Sequence, residues 1–219
     1  VDGDTVTFVP YAHDDWDGYA DRVSAVLEAL GIDDVAAHRA PAPRQAILDA
    51  EVVMMGGGNS FRLLGALQRL DVVTDLGRRV RSTATRYMGA SAGTNVVCQT
   101  IRTTNDMPIR EPVSFASIDL LPFQINLHYV DADPTSTFMG ENRDERIAEF
   151  LEENDCPVLA LYEGSWLRVS GEVATVTGPA RLFRREGTEH FADGVDVSHL
   201  LALTPTFGVG HSPVRPPSP

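Results

Sequence analysis

Two short apolar runs in this chain end on glycine clusters: EVVMM (residues 51–55) runs into GGGN, and RYM (residues 86–88) runs into GASAG. A strand-like run that stops on glycine and gives way to a helical pattern marks a βα unit, because glycine turns where a side chain would obstruct. The flanking sequence keeps that rhythm. TVTFVPYA is β-rich and stops at Pro10, and DGYADRVSAVLEALGI places Val23, Val26, Leu27 and Leu30 at helical spacing before Gly31. VAAHR predicts a short strand, PRQAILDA a short helix, and SFRLLGALQRLDVVTDLGRRVRSTA one helix or two. AGTNVVCQ reads as the start of a helix and LPFQINLHYVD as an extended apolar run. NRDERIAEFLEEN is a helix opened by Asn142 with acids early, and PVLALYEGSWLRVSGEVATVTGPARLFRR is a series of strands with glycine turns.

Strand and helix alternate for most of the chain, which predicts an α/β fold: a doubly wound, mainly parallel sheet with helices on both faces. In such sheets ligands bind outside the carboxyl ends of the strands, and both glycine clusters fall there. With 219 residues, 43% of them hydrophobic, the chain is expected to form one α/β domain over residues 1–185. Residues 186–219 are expected to be a C-terminal extension, its Pro/Ser-rich end SPVRPPSP disordered. The net charge is −13 and all 18 basic residues are arginine, a balance that excludes a nucleic-acid partner. No run approaches the roughly 20 apolar residues of a membrane span, and no signal-peptide pattern opens the chain. The expectation is a soluble, cytoplasmic protein with no membrane partner. Cys98 and Cys156 lie in apolar contexts without CxxC spacing, so buried reduced thiols are expected, with no metal and no cofactor.

GASAG matches G-x-S-x-G, a strained strand-to-helix turn that thrusts a serine oxygen outward and needs small neighbours on both sides. Ser91 is therefore the candidate nucleophile. The N–H of Ala92, with that of Gly57 or Gly58, would hold a developing oxyanion, and Asn59 closes the same turn as a substrate-binding candidate. A phosphate cradle competes for the glycine run, but the lysine of G-x-x-x-x-G-K-[ST] is missing. A serine needs a base oriented by an acid. His128 ends an apolar run where another strand's carboxyl end would fall, whereas His13, His38, His190, His199 and His211 lie in polar or tail contexts. The candidate acids are Asp106 in TTNDMP and Glu163 in LYEGSW, and Glu163 terminates an apolar run before a glycine. Asp131 and Asp133 read as solvated loop acids.

FVPYA, GGGNSFRLL, GASAGTNVVCQTIRTTNDMPI, FQINLHYVD, ENRDERI and LYEGSWLRV together resemble the peptidase E, or α-aspartyl dipeptidase, family of serine peptidases. The resemblance runs from about Val6 to about Phe183. It implies a fold related to class I glutamine amidotransferases, hydrolysis of dipeptides and some longer peptides with an N-terminal aspartate, and homodimers. By motif it makes Ser91 the nucleophile and His128 the base, with the acid placed at either Asp106 or Glu163. The strand-end position favours Glu163, leaving Asp106 to bind the substrate's α-amino group or to support the site. Selectivity for aspartate requires a cation, and Arg143 in ENRDER is the first candidate ahead of Arg102 and Arg110. Leu127 and Tyr162 stand where the family typically has proline. The family also opens with a further strand and helix, so the chain is either trimmed or one strand short. Competing readings are a serine hydrolase of the same fold acting on another aspartyl substrate such as cyanophycin, a glutamine-hydrolysing relative (which would carry cysteine at the elbow), and an inactive binding module.

Overall fold

Four parallel strands order the first hundred residues. β1 (Val6–Val9) pairs with β2 (Asp34–Ala36) on one side and β3 (Val52–Met55) on the other, and β4 (Arg86–Gly89) adds beyond β3. In this computed structural model the described residues are 5–82, 84–133, 135, 137 and 139–208. The chain divides into two compact units, one running to Ile101 and taking in Asp106–Leu120, the other comprising Arg102–Asn105 and the chain from Leu121 on.

In the first unit the strands are apolar on both faces, as a parallel sheet covered on both sides requires. Val6, Phe8 and Val52 pack against Leu27 and Ala20 of α1 (Trp16–Ala29). Val9, Val53 and Met55 face the other way. They pack with Ile47 of α2 (Pro43–Leu48), Leu63, Leu64 and Leu67 of α3 (Ser60–Arg69), and Leu76 of α4 (Val73–Arg81). The doubly wound expectation is met here. VAAHR is strand only as far as Ala36, and Ala37–Arg39 forms a 3-10 turn. The long helical run is two helices, broken where Asp71 takes φ 52°.

One local expectation is met only in its first turn. AGTNVVCQ yields only α5 (Ala92–Asn95), a single turn. The carbonyls that a longer helix would use are taken: Val96 O accepts from Ile118 N at 3.0 Å and Ser117 Oγ at 2.7 Å, and Val97 O from Leu120 N at 2.7 Å. Tertiary bonds to residues 117–120 override the local pattern.

The second unit begins with β5 (Gln124–Tyr129), parallel to β6 (Val158–Tyr162). α6 (Arg143–Glu153) lies between them in sequence and opens on a capping box: Asn142 Oδ1 accepts from Glu145 N, and Glu145 Oε2 from Asn142 N. Beyond β6 the pairing is antiparallel and divides between two sheets. β7 (Trp166–Ser170) pairs with β8 (Val173–Thr177), while β9 (Ala180–Arg184) returns to β6. Gly164, Gly171 and Gly178, at φ 80°, 60° and 80°, make the turns. β10 (Gly187–Phe191) pairs along its length with β9, so the boundary expected at residue 185 coincides with a hairpin turn. β11 (Val195–Asp196) joins β8, so the two sheets are ordered β10-β9-β6-β5 and β11-β8-β7. Cys98 and Cys156 are buried thiols outside any disulfide among the described residues. The expected disorder of SPVRPPSP falls outside the described residues. Among those residues no helix is long and apolar enough to cross a membrane.

Candidate active site

The first unit carries the elbow. β4 ends at Gly89, and Ser91 takes φ 48°, ψ −111°, a conformation that costs a non-glycine residue about 1–3 kcal/mol. Close backbone approach imposes it. A Cβ on Gly93 would lie 2.3 Å from Met55 O, and one on Gly89 2.6 Å from Gly93 O, so neither flank admits a side chain. The GGGN turn follows β3, and a Cβ on Gly57 would stand 3.3 Å from both Ala90 O and Ser91 Cβ. Gly58 has φ 133° because the backbone passes Ala12 O, 2.5 Å from where a Cβ would sit.

Gly57 and Gly58, interchangeable as oxyanion donors in the sequence, differ in the structure. Gly57 donates its N–H to the Tyr19 hydroxyl at 2.9 Å. The N–H groups of Gly58 and Ala92 donate to no other group among the described residues. With α5 a single turn, a helix dipole adds little, and any anion binding rests on those two N–H groups.

The two candidate acids separate cleanly. Asp106 Oδ2 accepts from Ser60 N, the first residue of α3, at 2.7 Å, beside Asn59, whose side chain accepts from Arg62 N and donates to Met107 O. Asp106 and Asn59 thus fasten residues 106–107 to the glycine turn. Glu163 instead meets the histidine: its Oε2 lies 2.6 Å from His128 Nδ1. With its proton on Nδ1 the ring donates to the carboxylate and leaves Nε2 as a base.

A bulge aims His128. Asn126 pairs with Ala160 and Tyr129 with Tyr162, so Leu127 and His128 oppose the single residue Leu161. His128 takes φ 52° in the bulge. The pair is solvent-accessible, with side-chain exposures of 55% for His128 and 83% for Glu163. Behind β5, Asn105 donates to Leu127 O at 2.7 Å and Asn126 to Thr103 O at 2.9 Å. After β5 the chain lines a groove of about 690 Å³ with Asp131, Asp133, Asn142, Arg143, Glu145 and Arg146. Arg143, the sequence candidate for a carboxylate reader, is in that lining at the first position of α6.

The sequence did not reveal the cluster formed by Arg181, Asp131, Asp144, Tyr129 and Tyr162. Asp131, read as a solvated loop acid, accepts from Tyr162 Oη at 2.8 Å and Arg181 Nη1 at 3.0 Å. Burial and then the Asp131 hydrogen bond push the Tyr162 phenol up to about 12. Its sequence signal is faint: Arg181 is one of two arginines in the short strand ARLFR.

Peptidase family S51 matches residues 2–177. This chain belongs to that family. It is 52% identical to "Peptidase E" of Streptomyces coelicolor over 95% of this chain and 86% of that protein. It is 42% identical to the Drosophila melanogaster protein named "Probable alpha-aspartyl dipeptidase", over 90% and 83% of the two chains. The crystal structure of a peptidase from an acI-B1 Actinobacterium has a similar fold, with TM-score 0.62 at 12% identity over 89% of this chain and 84% of that one. In this S51 chain, G-x-S-x-G has the elbow backbone and the strand-end histidine has a carboxylate partner.

Proposed function

We propose that this chain is a serine dipeptidase that removes aspartate from the N-terminus of dipeptides and short peptides. The observation that carries the reading is the backbone of Ser91, φ 48° and ψ −111°, between Gly89 and Gly93, neither of which has room for a side chain. A positive φ at a non-glycine nucleophile position is strain retained for function. Ser91 Oγ attacks the carbonyl carbon of the aspartyl residue while His128 Nε2 takes its proton. Glu163 holds the ring through Nδ1 and stabilises the imidazolium. The N–H groups of Gly58 and Ala92 receive the oxyanion. His128 then protonates the leaving amine, and water releases aspartate from the acyl-serine by the reverse sequence.

Asp106 supports the glycine turn, and Asn59 caps α3 beside it. Arg143 reads the β-carboxylate, since a guanidinium binds carboxylate through two parallel hydrogen bonds. Arg143 is half-buried at the start of α6, and a first residue without a carboxylate forgoes the charge-assisted pair, which gives the enzyme its selectivity. The enzyme works in the cytoplasm as a homodimer and requires no metal.

A panel of X-Leu dipeptides with X as Asp, Glu, Asn or Ala, assayed with and without chelator, tests the reading. Cleavage of Asp-Leu alone, insensitive to chelator, supports it. Equal cleavage of Ala-Leu defeats the arginine pocket, and a Ser91→Ala protein that still cleaves Asp-Leu defeats the nucleophile.

A further inference from the structure

Arg181 on β9 has only 14% of its side chain exposed. A charge so enclosed is tolerated only when paired and hydrogen-bonded. Its Nη1 reaches Asp131 at 3.0 Å, Asp144 at 3.4 Å and the Tyr129 hydroxyl, and its guanidinium stacks 5.4 Å from the Tyr129 ring and 5.0 Å from that of Phe183. Tyr129 Oη donates to Asp144, Tyr162 Oη donates to Asp131, and the two tyrosine rings meet edge to face at 5.0 Å. Five side chains from β5, β6, β9, α6 and the chain after β5 therefore close on one cation.

Their places in the sequence matter more than their number. Tyr129 directly follows His128, and Tyr162 directly precedes Glu163. The two tyrosines are also register partners just after the bulge. The network therefore pins the two backbone points from which the histidine and the glutamate project. Those side chains are themselves largely solvent-exposed, and an exposed ion pair seldom holds two side chains in one geometry unaided.

We propose that Arg181, acting through Asp131, Tyr129 and Tyr162, is the positioning residue that keeps His128 and Glu163 in hydrogen-bonding register. This rests on the reading of His128 as the base. Arg181 touches neither substrate nor reacting atom in that scheme. Its contribution is to keep the ring in the tautomer and orientation that proton transfer needs.

Tyr162→Phe deletes one hydroxyl and little else. The expected result is a kcat for Asp-Leu about tenfold lower, with KM within about twofold of wild type, because misplacement of a base acts on the chemical step. The thermal midpoint stays close to wild type. The 15N shifts of the neutral His128 ring move from a single Nδ1–H tautomer toward the average of two. Arg181→Lys keeps the charge but loses the fork and the stacking, and gives the same signature more strongly. Tyr162→Phe combined with Asp131→Asn falls no further than Asp131→Asn alone, as expected for groups that act as a unit. Wild-type kcat and tautomer in Tyr162→Phe overturn the proposal, and so does a loss of kcat that only tracks unfolded protein while the tautomer is unchanged. If the wild-type protein cleaves no aspartyl dipeptide, the functional reading fails instead, and the tautomer comparison still decides the positioning role.

Discussion

Ser91 and His128 both sit at the carboxyl end of a parallel strand, and both hold a positive φ, 48° and 52°, that non-glycine residues rarely adopt. What enforces it differs. At Ser91 the enforcer is backbone: Met55 O, Gly93 O and Ala12 O stand where side chains would have to go. At His128 it is a bulge backed by side-chain bonds, those of Asn105 and Asn126 and the Arg181 network. A steric cradle has no intermediate setting, because a carbon within 2.6 Å of an oxygen must be moved away. A hydrogen-bonded frame can be loosened one bond at a time. In the mechanism we propose, the first kind suits a nucleophile whose position is fixed, the second a base that must exchange protons and rotate slightly as it does.

That contrast can be broken at several points. The largest effect is expected from Ser91→Ala, which lowers kcat for Asp-Leu by about 10⁴- to 10⁶-fold while leaving the fold at least as stable as before. Glu163→Gln comes next, at about 10²- to 10⁴-fold in kcat, from loss of the ring's orientation. Since Glu163 is 83% exposed, its urea midpoint stays at the wild-type value. Unfolding of Glu163→Gln at lower urea would mean the frame at His128 is as rigid as the elbow.

Gly93→Ala is predicted to act in the opposite manner, destabilising the protein by about 3 kcal/mol or more by urea titration and removing activity along with folded protein. Alkaline pH offers a gentler probe of the hydrogen-bonded side. Tyr162 keeps its proton up to about 12 in the folded protein, whereas an unfolded tyrosine releases its proton near pH 10. Between those values the unfolded chain binds fewer protons, so stability falls as pH rises through the window and is fully present below it. Tyr162→Phe therefore flattens part of the decline in urea midpoint between pH 9 and 11. The smallest effect is expected from Gly164→Ala, a turn glycine at φ 80° with nothing within 4 Å of its missing Cβ: about 1 kcal/mol of strain and no loss of kcat.

The elbow was the more legible half in the sequence because its causes are local. Glycine clusters at the ends of EVVMM and RYM state a steric need that one can read without knowing the partner atoms. The same holds for Asn142, whose capping box lies within four residues. Where causes were distant, the sequence was mute or misleading. α5 stops after one turn because residues 117–120 occupy its carbonyls, and nothing in AGTNVVCQ announces that. Asp131 looked like a loop acid because its partners, Tyr162 and Arg181, lie 31 and 50 residues further along the chain. Gly57 and Gly58 could not be told apart until Tyr19, 38 residues from Gly57, claimed one N–H.

The parallel sheet of the first unit has a consequence for the order in which the protein is made. All four of its strands lie between Val6 and Gly89, and the residues that truncate α5 end at Leu120. A ribosome delivers the chain from its N-terminus, and early segments fold as units while later ones are still being added. The atoms nearest the missing side chains of Gly57, Gly58, Gly89 and Gly93 belong to residues 12–94, so the nascent chain carries this mould for Ser91 before translation reaches Gln124, where β5 begins.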